Sequence, residues 1–376
     1  MPSPPRRSST ARRIDPAFLR RVGFSVLERV RGGIEAAYES DIERLYWPQS
    51  STGTGTRLRI LFVAPKYDYG DIRRGYGIEE NYFLHSLLSM GHQVIRFDSV
   101  GISKRRGRRL AGELLTEAVV REQPDVMFSV LFRDEFEPQA IASATAMLDG
   151  RTVNWFCDDQ WRWDSYTAYW APLFGWSATT TESAIPKYQG AGISRVILTQ
   201  WGCNHYLYRP LPLDHSIDVS FVGQPHGDRA RAIEAIRRAG ISVETWGFGW
   251  PRGKLSQAGM LRLYSQTKIN LNLSNASRGR ADQIKGRDFE IPGCRGFLIT
   301  KDTVELGNYF LPGQEVATYE STTDLIDKIR HYLARESERD AIAAAGYART
   351  LAEHTVEARL NAIFSTVLGR PVAARA

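Results

Sequence analysis

From Arg57 onward, short apolar runs alternate with amphipathic ones. RLRILFVAP (57–65), HQVIRFD (92–98), DVMFSVLF (125–132) and RTVNWFCDD (151–159) are strand-length and bounded by polar or turn residues. ATTTES (178–183) and SRVILTQWG (194–202) continue the series. Between the runs, helical spacing is expected from Glu79 to Met90, with Gly91 closing the helix, and from Arg108 to Glu122 ahead of Pro124. The pattern restarts after the connector YRPLPLDHSID (208–218). DVSFVGQ (218–224), ISVETWG (241–247), INLNLS (269–274) and GFLIT (296–300) read as strands. DRARAIEAIRRAG (228–240), MLRLYSQTK (260–268) and 322–335 read as helices. Strands alternating with helices predict parallel, doubly wound sheets, so the fold class is α/β. Two Rossmann-like units are expected, 51–212 and 213–376, the second carrying the terminal helices. They face a cleft, and ligands of open α/β sheets sit outside the carboxyl ends of strands. Residues 1–50 stand apart: a tail (1–13), a helix over 15–46 with Leu19, Val22, Val26, Val30 and Ile34 on one face, and the flexible linker QSSTGTGT (49–56).

Composition narrows the class. Of 376 residues, 43% are hydrophobic and 24% charged, as in a soluble globular chain. The longest apolar stretches are of strand length, so no membrane span is expected. The N-terminus is basic with no apolar stretch after it and does not read as a secretory signal. Cys157, Cys203 and Cys294 are far apart, which fits a reducing cytoplasm. The net charge is +7, but Met1–Arg13 and SKRRGRR (103–109) together carry nine basic residues and no acids. The body is therefore near neutral, which argues against a nucleic-acid binder. The basic loop adds an expected peripheral contact with an anionic membrane surface, at its inner face.

The charges concentrate in ADQIKGRDFEIPGCRGFLIT (281–300). This stretch follows a strand and the polar loop NASRGRADQ (275–283), and should enter a short helix around Gly286–Gly293. A helix start with Lys285 and Arg287 beside it favours a phosphate. Glu290, about one turn on, can accept from two ribose hydroxyls, and Asp282 from a sugar. A diphosphate flanked by ribose and sugar is a nucleotide-sugar. Ordinary surface ion pairs are the other reading of the same charges.

Here the sequence resembles a known family. DVSFVG, LYSQTKINLNLS, KGRDFEIPGCRGFLIT, PGQEVATYES, DLIDKIRHYL and EHTVEAR follow one another as in the C-terminal domain of GT-B glycosyltransferases. The branch that includes the CgeB-like spore-maturation proteins is the nearest in pattern. NWFCDD and the run from TTTES to YRP are similar to the same family in the first half. The resemblance implies a sugar-nucleotide donor, as substrate rather than cofactor, held by the second domain. In related retaining enzymes two acids with seven residues between them bracket this loop and helix. Glu290 matches the second, which binds ribose. Asp282 stands where the first is Glu and faces the donor sugar, which puts the retaining outcome in question. The family's phosphate-binding positions map to Gly223, to Gln224 where an Arg is common, and to Arg229. Lys285 and Arg287 are expected to compensate for Gln224.

The acceptor side should be the first domain. DDQWRWDSYTAYW (158–170) offers aromatic faces with interleaved acids, suited to sugar stacking. Asp158 or Asp159 is a candidate general base if the reaction inverts, and Glu79 in the glycine-spaced loop 68–80 is another. A packed aromatic helix with capping aspartates is the structural alternative. His354 and Thr355 read as a helix start, with Thr355 as cap, and His205 as a structural histidine. No Asp-any-Asp triplet occurs, so diphosphate charge is expected to be met by Lys, Arg and a helix end, without metal. The expected activity is glycosyl transfer from a nucleoside-diphosphate sugar to a hydroxyl of a glycan, lipid-linked or protein acceptor. A non-catalytic nucleotide-sugar scaffold and a sugar-nucleotide epimerase of the same architecture are the alternatives.

Overall fold

The structure is a computed structural model and describes residues 56–131, 133–274 and 282–372. The tail, helix and linker expected before residue 56 lie outside the described residues.

Two parallel sheets organise the chain. The first has six strands in the order β2-β1-β3-β4-β5-β6: β1 (Arg59–Ala64), β2 (Gln93–Asp98), β3 (Val126–Ser129), β4 (Thr152–Phe156), β5 (Trp176–Thr179) and β6 (Val196–Leu198). The second has five, ordered β11-β10-β9-β7-β8: β7 (Ile217–Val222), β8 (Glu244–Trp246), β9 (Thr267–Asn272), β10 (Leu298–Lys301) and β11 (Ala317–Tyr319). The first ten strands each overlap a run read as a strand from the sequence; β11, within PGQEVATYES, does not. Strands buried on both faces need near-continuous apolar residues. β1 meets that demand with Ile60, Leu61, Phe62 and Val63 all at 1% exposure or less.

Both sheets reverse strand order once: between β1 and β3 in the first, and between β7 and β9 in the second. Reversal splays the following loops apart and opens a crevice at the carboxyl ends of the strands. The loop after β1, residues 65–79, lies at one crevice. The loop after β7, residues 223–228, and the stretch 282–287 lie at the other.

The C-terminal end departs from the expected division. Helices Thr322–Leu333 and Glu336–Glu353 belong to the second domain, but Val356–Leu368 does not. Its Val356, Leu360, Ile363, Phe364 and Val367 join the core under β1, β3 and β4 of the first sheet. The chain crosses back where Cys203 N–H bonds His354 O (2.7 Å) and Val356 N–H bonds Cys203 O (2.9 Å). His354 and Thr355 serve this crossing: Thr355 caps the last helix and His354 bonds Tyr309 O. His205 lies beside it, 3.7 Å from Glu357.

Two local readings are corrected. The helix expected over 79–90 begins as a π turn, Glu80–Leu84, before the α-helix His85–Ser89. The basic stretch 103–109 is not a loop. It ends one helix, Ser99–Arg106, and begins another, Arg108–Glu122, with Gly107 at φ 82° between them. Its lysine and arginines suit the carboxyl end of the first helix electrostatically.

Phe364 is fully buried and meets Phe128 of β3 edge-on at 5.9 Å. Phe364→Ala should cost about 3–5 kcal/mol, read as a lowered urea midpoint. A loss below about 1 kcal/mol would mean that the last helix is a loose appendage.

Candidate active site

The site on the second domain starts from backbone turns. After β7 the chain turns at Gly223, whose N–H bonds Trp246 O (2.8 Å) and whose carbonyl receives the Trp250 indole N–H (2.7 Å). Gly223 and Gly247 pack backbone to backbone: a Cβ on Gly247 would lie 2.6 Å from the Gly223 oxygen. The turn is pinned by side chains behind it, and the helix Arg229–Arg238 follows.

Arg229 occupies the first position of that helix, where a cation opposes the helix dipole. It is 2% exposed. Its guanidinium donates to Leu273 O (2.9 Å) and Gln224 O (3.2 Å) and meets His226 Nε2 (2.9 Å). Arg287 donates Nε–H to Asn272 Oδ1 (3.2 Å), and both guanidinium groups lie within 5.8 Å of the Phe221 ring centre. Lys285 is two residues away.

These cations depress one another. Burial, then Arg287, brings Arg229 down to about 9. Burial, then Arg287 and Arg229, brings Lys285 down to about 8, against the pull of Asp158. Burial and the same three cations hold His226 at about 4. Among the described residues, neither Lys285 nor Arg287 has a carboxylate within ion-pair distance. Proteins pair buried charges, so a cluster left this way calls for an anion from outside. Gly223, Arg229, Lys285 and Arg287 are thus brought together, and His226 and Asn272 join them. Sequence reasoning had no signal for those two, because neither lies in the charged stretch.

The acidic half of the motif is placed less uniformly. Asp288 is a structural clamp: it accepts from Thr300 Oγ1 (2.6 Å), Asn272 Nδ2 (2.7 Å) and Lys285 N–H (2.8 Å). It fixes the short helix Arg287–Gly293 onto β9 and β10. Glu290 is 7% exposed, and burial pushes its carboxyl up to about 7 while Arg287 and the Tyr208 hydroxyl pull it down. A Cβ on Gly286 would come within 3.2 Å of its Oε1, so the missing side chain there keeps that oxygen uncovered. Asp282 is exposed, with Lys301, Asp228 and Lys285 as its charged neighbours, and burial raises its pKa.

The first domain supplies the opposite wall. After β1, Tyr67 and Tyr76 pair as a short antiparallel flap and stack at 5.6 Å. Lys104 holds its tip by the carbonyls of Tyr69 (3.3 Å) and Gly70 (3.0 Å). Arg74 of the flap lies 4.1 Å from the Phe248 ring centre, and Lys254 donates to Arg74 O (2.8 Å). Glu79 follows, 9% exposed. Burial lifts its carboxyl to about 8, with Asp68, Glu80 and Glu135 adding to the rise.

β4 delivers Asp158 in the left-handed region (φ 74°, ψ 23°), a position that costs a non-glycine residue about 1–3 kcal/mol. Its Oδ1 accepts from Gln283 Nε2 of the second domain (3.0 Å). Asp159 is a different case and corrects an expectation. It is fully buried and accepts from Thr179 (2.5 Å), Thr167 (2.6 Å) and Tyr188 (2.9 Å), so its carboxylate is occupied in holding β5 and two helices together. The aromatic run after it is likewise mostly core: Trp163, Tyr166 and Trp170 are 8%, 6% and 2% exposed. The alternation that looked like a sugar platform is the packed face of a helix containing a π turn, Trp163–Thr167.

A cavity of about 440 Å³ opens elsewhere, behind the connector and lined by Pro210, Leu213, Lys268, Arg295 and Arg339. Lys268 there pairs with Asp218 (2.7 Å), and Arg339 is near Glu336 (3.6 Å). Among the described residues no group of three or more His, Cys, Asp or Glu could hold a metal, and no helix is long and apolar enough to cross a membrane.

Residues 229–365 match the family described as "Glycosyl transferase-like". The spore protein CgeB of Bacillus subtilis (strain 168) is 22% identical over 215 residues, which span 49% of this chain and 66% of that one. Residues 229–365 thus carry a glycosyltransferase-like segment, and the chain as a whole has the two-sheet GT-B fold. Among solved structures, a glycosyltransferase from Rickettsia africae ESF-5 superposes with TM-score 0.59 at 11% identity, over 83% of this chain and 99% of that one. Anabaena Alr3699/HepE in complex with UDP-glucose gives TM-score 0.58 at 12% identity, over 83% and 100%. These identities speak to the fold.

The empty cation cluster has a pH signature. A lysine with a lowered folded pKa binds its proton less tightly than in the unfolded chain. Between pH 8 and 10 the unfolded state therefore carries more protons, and stability rises with pH. Wild type without ligand should gain stability across that window, whereas Lys285→Met should gain less and start higher at pH 7. Urea midpoints at pH 7, 8, 9 and 10 decide it, and parallel curves for the two proteins would contradict the cluster.

Proposed function

We propose that this protein is a glycosyltransferase that takes a nucleoside-diphosphate sugar and moves the sugar to an acceptor hydroxyl, without a metal ion. The single observation that carries the reading is the convergence of Arg229, Lys285 and Arg287, with no carboxylate among the described residues in ion-pair contact with Lys285 or Arg287. A diphosphate would meet them. Each charge-assisted hydrogen bond contributes about 1.5–3 kcal/mol. The same cations stabilise the diphosphate as the glycosidic C–O bond breaks and negative charge accumulates on the leaving oxygen. Glu290, uncovered at Gly286, is assigned to the ribose hydroxyls, and Asp282 to the donor sugar. The complex of Alr3699/HepE with UDP-glucose, on the same fold, supports a nucleotide-sugar as donor.

Asp158 is assigned as the base. It projects from the first domain opposite the cations and acts on Lys285. The acceptor oxygen forms its bond to the anomeric carbon, its proton passes to Asp158, and the nucleoside diphosphate leaves. Glu79 is set aside as base, because a carboxyl at about 8 is roughly ten parts protonated to one ionised at pH 7. It is assigned instead as a hydrogen-bond donor to the acceptor. Asp159 is excluded by its three hydroxyl partners. The acceptor is proposed to be a glycan, lipid-linked or protein hydroxyl. The exposed Arg105, Arg106 and Arg109 give the first domain a basic face for an anionic membrane surface.

The test is turnover of a panel of nucleoside-diphosphate sugars in EDTA, following release of the free diphosphate. Asp158→Asn should lower kcat about 100- to 10,000-fold, the span of general-base catalysis, with donor Kd unchanged. Retained turnover would remove Asp158 from the chemistry. Binding with no turnover in wild type would favour a scaffold.

A further inference from the structure

Asp158 does not stand alone. Its Oδ1 accepts from Gln283 Nε2 at 3.0 Å, and Gln283 Oε1 receives Gln160 Nε2. Gln160 Oε1 in turn accepts from Thr181 Oγ1 at 3.0 Å. Gln283 belongs to the second domain, next to Asp282, and the others to the first.

The polarity of this chain is fixed by chemistry. An ionised carboxylate only accepts, so Gln283 must turn its NH₂ to Asp158. Its carbonyl is then left for the NH₂ of Gln160, whose own carbonyl faces the Thr181 hydroxyl. Every amide orientation follows from the one carboxylate. At the far end Thr181 N–H bonds Thr179 Oγ1 (3.2 Å), which donates to buried Asp159. The network is therefore anchored on a rigid carboxylate in the first domain and reaches across the cleft to a single residue of the second. Gln283 is itself held by its backbone N–H to Ser274 O (3.1 Å), at the end of the strand that leads into the donor loop.

We propose that Gln283 is a positioning residue: its amide orients the Asp158 carboxylate across the cleft, so the base is set only when the two domains close. The proposal rests on the reading of Asp158 as base. The strained backbone of Asp158 gives it a reason. A residue held in the left-handed region persists where its surroundings over-determine it. Gln283 and the bonds from Trp161 N–H (3.1 Å) and Arg162 N–H (3.0 Å) to Asp158 O supply that hold. Without Gln283 the carboxylate loses its cross-domain hydrogen bond.

The experiment uses the full chain with 5 mM pyrophosphate as the probe and reads amide hydrogen exchange. Gln283→Ala should speed exchange at Trp161 and Arg162 at least tenfold and leave Cys294 in the second domain unchanged. Gln283→Glu keeps the shape but replaces the donor with a second carboxylate, so it should be worse than alanine. A purely structural role for Gln283 would act on its own domain and would not distinguish these two. Unchanged exchange at 161–162 in both variants overturns the coupling, whatever Asp158 does. Faster exchange together with full turnover in Asp158→Asn leaves the positioning intact and removes the base assignment instead.

Discussion

Mutual repulsion between buried Arg229 and the half-buried Lys285 and Arg287 is the constraint around which the rest of the structure is arranged. Arg229 is placed at the wrong end of a helix, Arg287 shares the same ring face, and Lys285 is pressed toward both. Left to itself such a cluster would turn outward into water. It is held by carbonyls of Gln224 and Leu273, by Asn272, and by Asp288 gripping the loop from behind. Asp288 is the one carboxylate among these partners, and its oxygens bond Thr300, Asn272 and the Lys285 N–H rather than a guanidinium. The fold thereby spends part of its stability, a margin of about 5–15 kcal/mol in most domains, on holding like charges together.

The opposite wall follows an inverse logic. Carboxyls collect around the flap and the end of β4, and burial separates them by role. Asp159 is saturated and structural, Glu79 is pushed toward its neutral form, and Asp158 faces Lys285. Two acids adjacent in sequence thus acquire unrelated jobs because one points into the sheet and the other across the cleft. Both walls lie where strand order reverses, so the sheet topology, more than any single motif, brings acid and cation into one crevice.

Much of this was legible beforehand. Strand positions could be read because a parallel sheet demands apolar residues on both faces, and β1 carries five in succession, Ile60 to Ala64. Lys285 and Arg287 stood out as cations beside a helix start, and Arg229 through the family resemblance. What stayed hidden depends on direction or on distant partners. DD at 158–159 reads as two equivalent acids, since only backbone φ separates them. DDQWRWDSYTAYW reads equally as a sugar platform or a packed helix, because periodicity does not say which face is covered. Gln283 and His226 gain meaning from residues 125 and 3 positions away, through bonds that no local pattern encodes. The last helix was assigned to the wrong domain because nothing in its composition says that it crosses back.

The central claim is that the clustered cations hold a nucleoside diphosphate without metal. Titration calorimetry of UDP, GDP, dTDP, ADP and CMP against the purified protein in EDTA tests it most directly. The account predicts that one of the diphosphates binds, that it takes up protons near pH 8.5 as Lys285 recharges, and that Arg287→Ala weakens it about tenfold or more. Binding that appears only when magnesium is added, or no binding by any of the five, would contradict it.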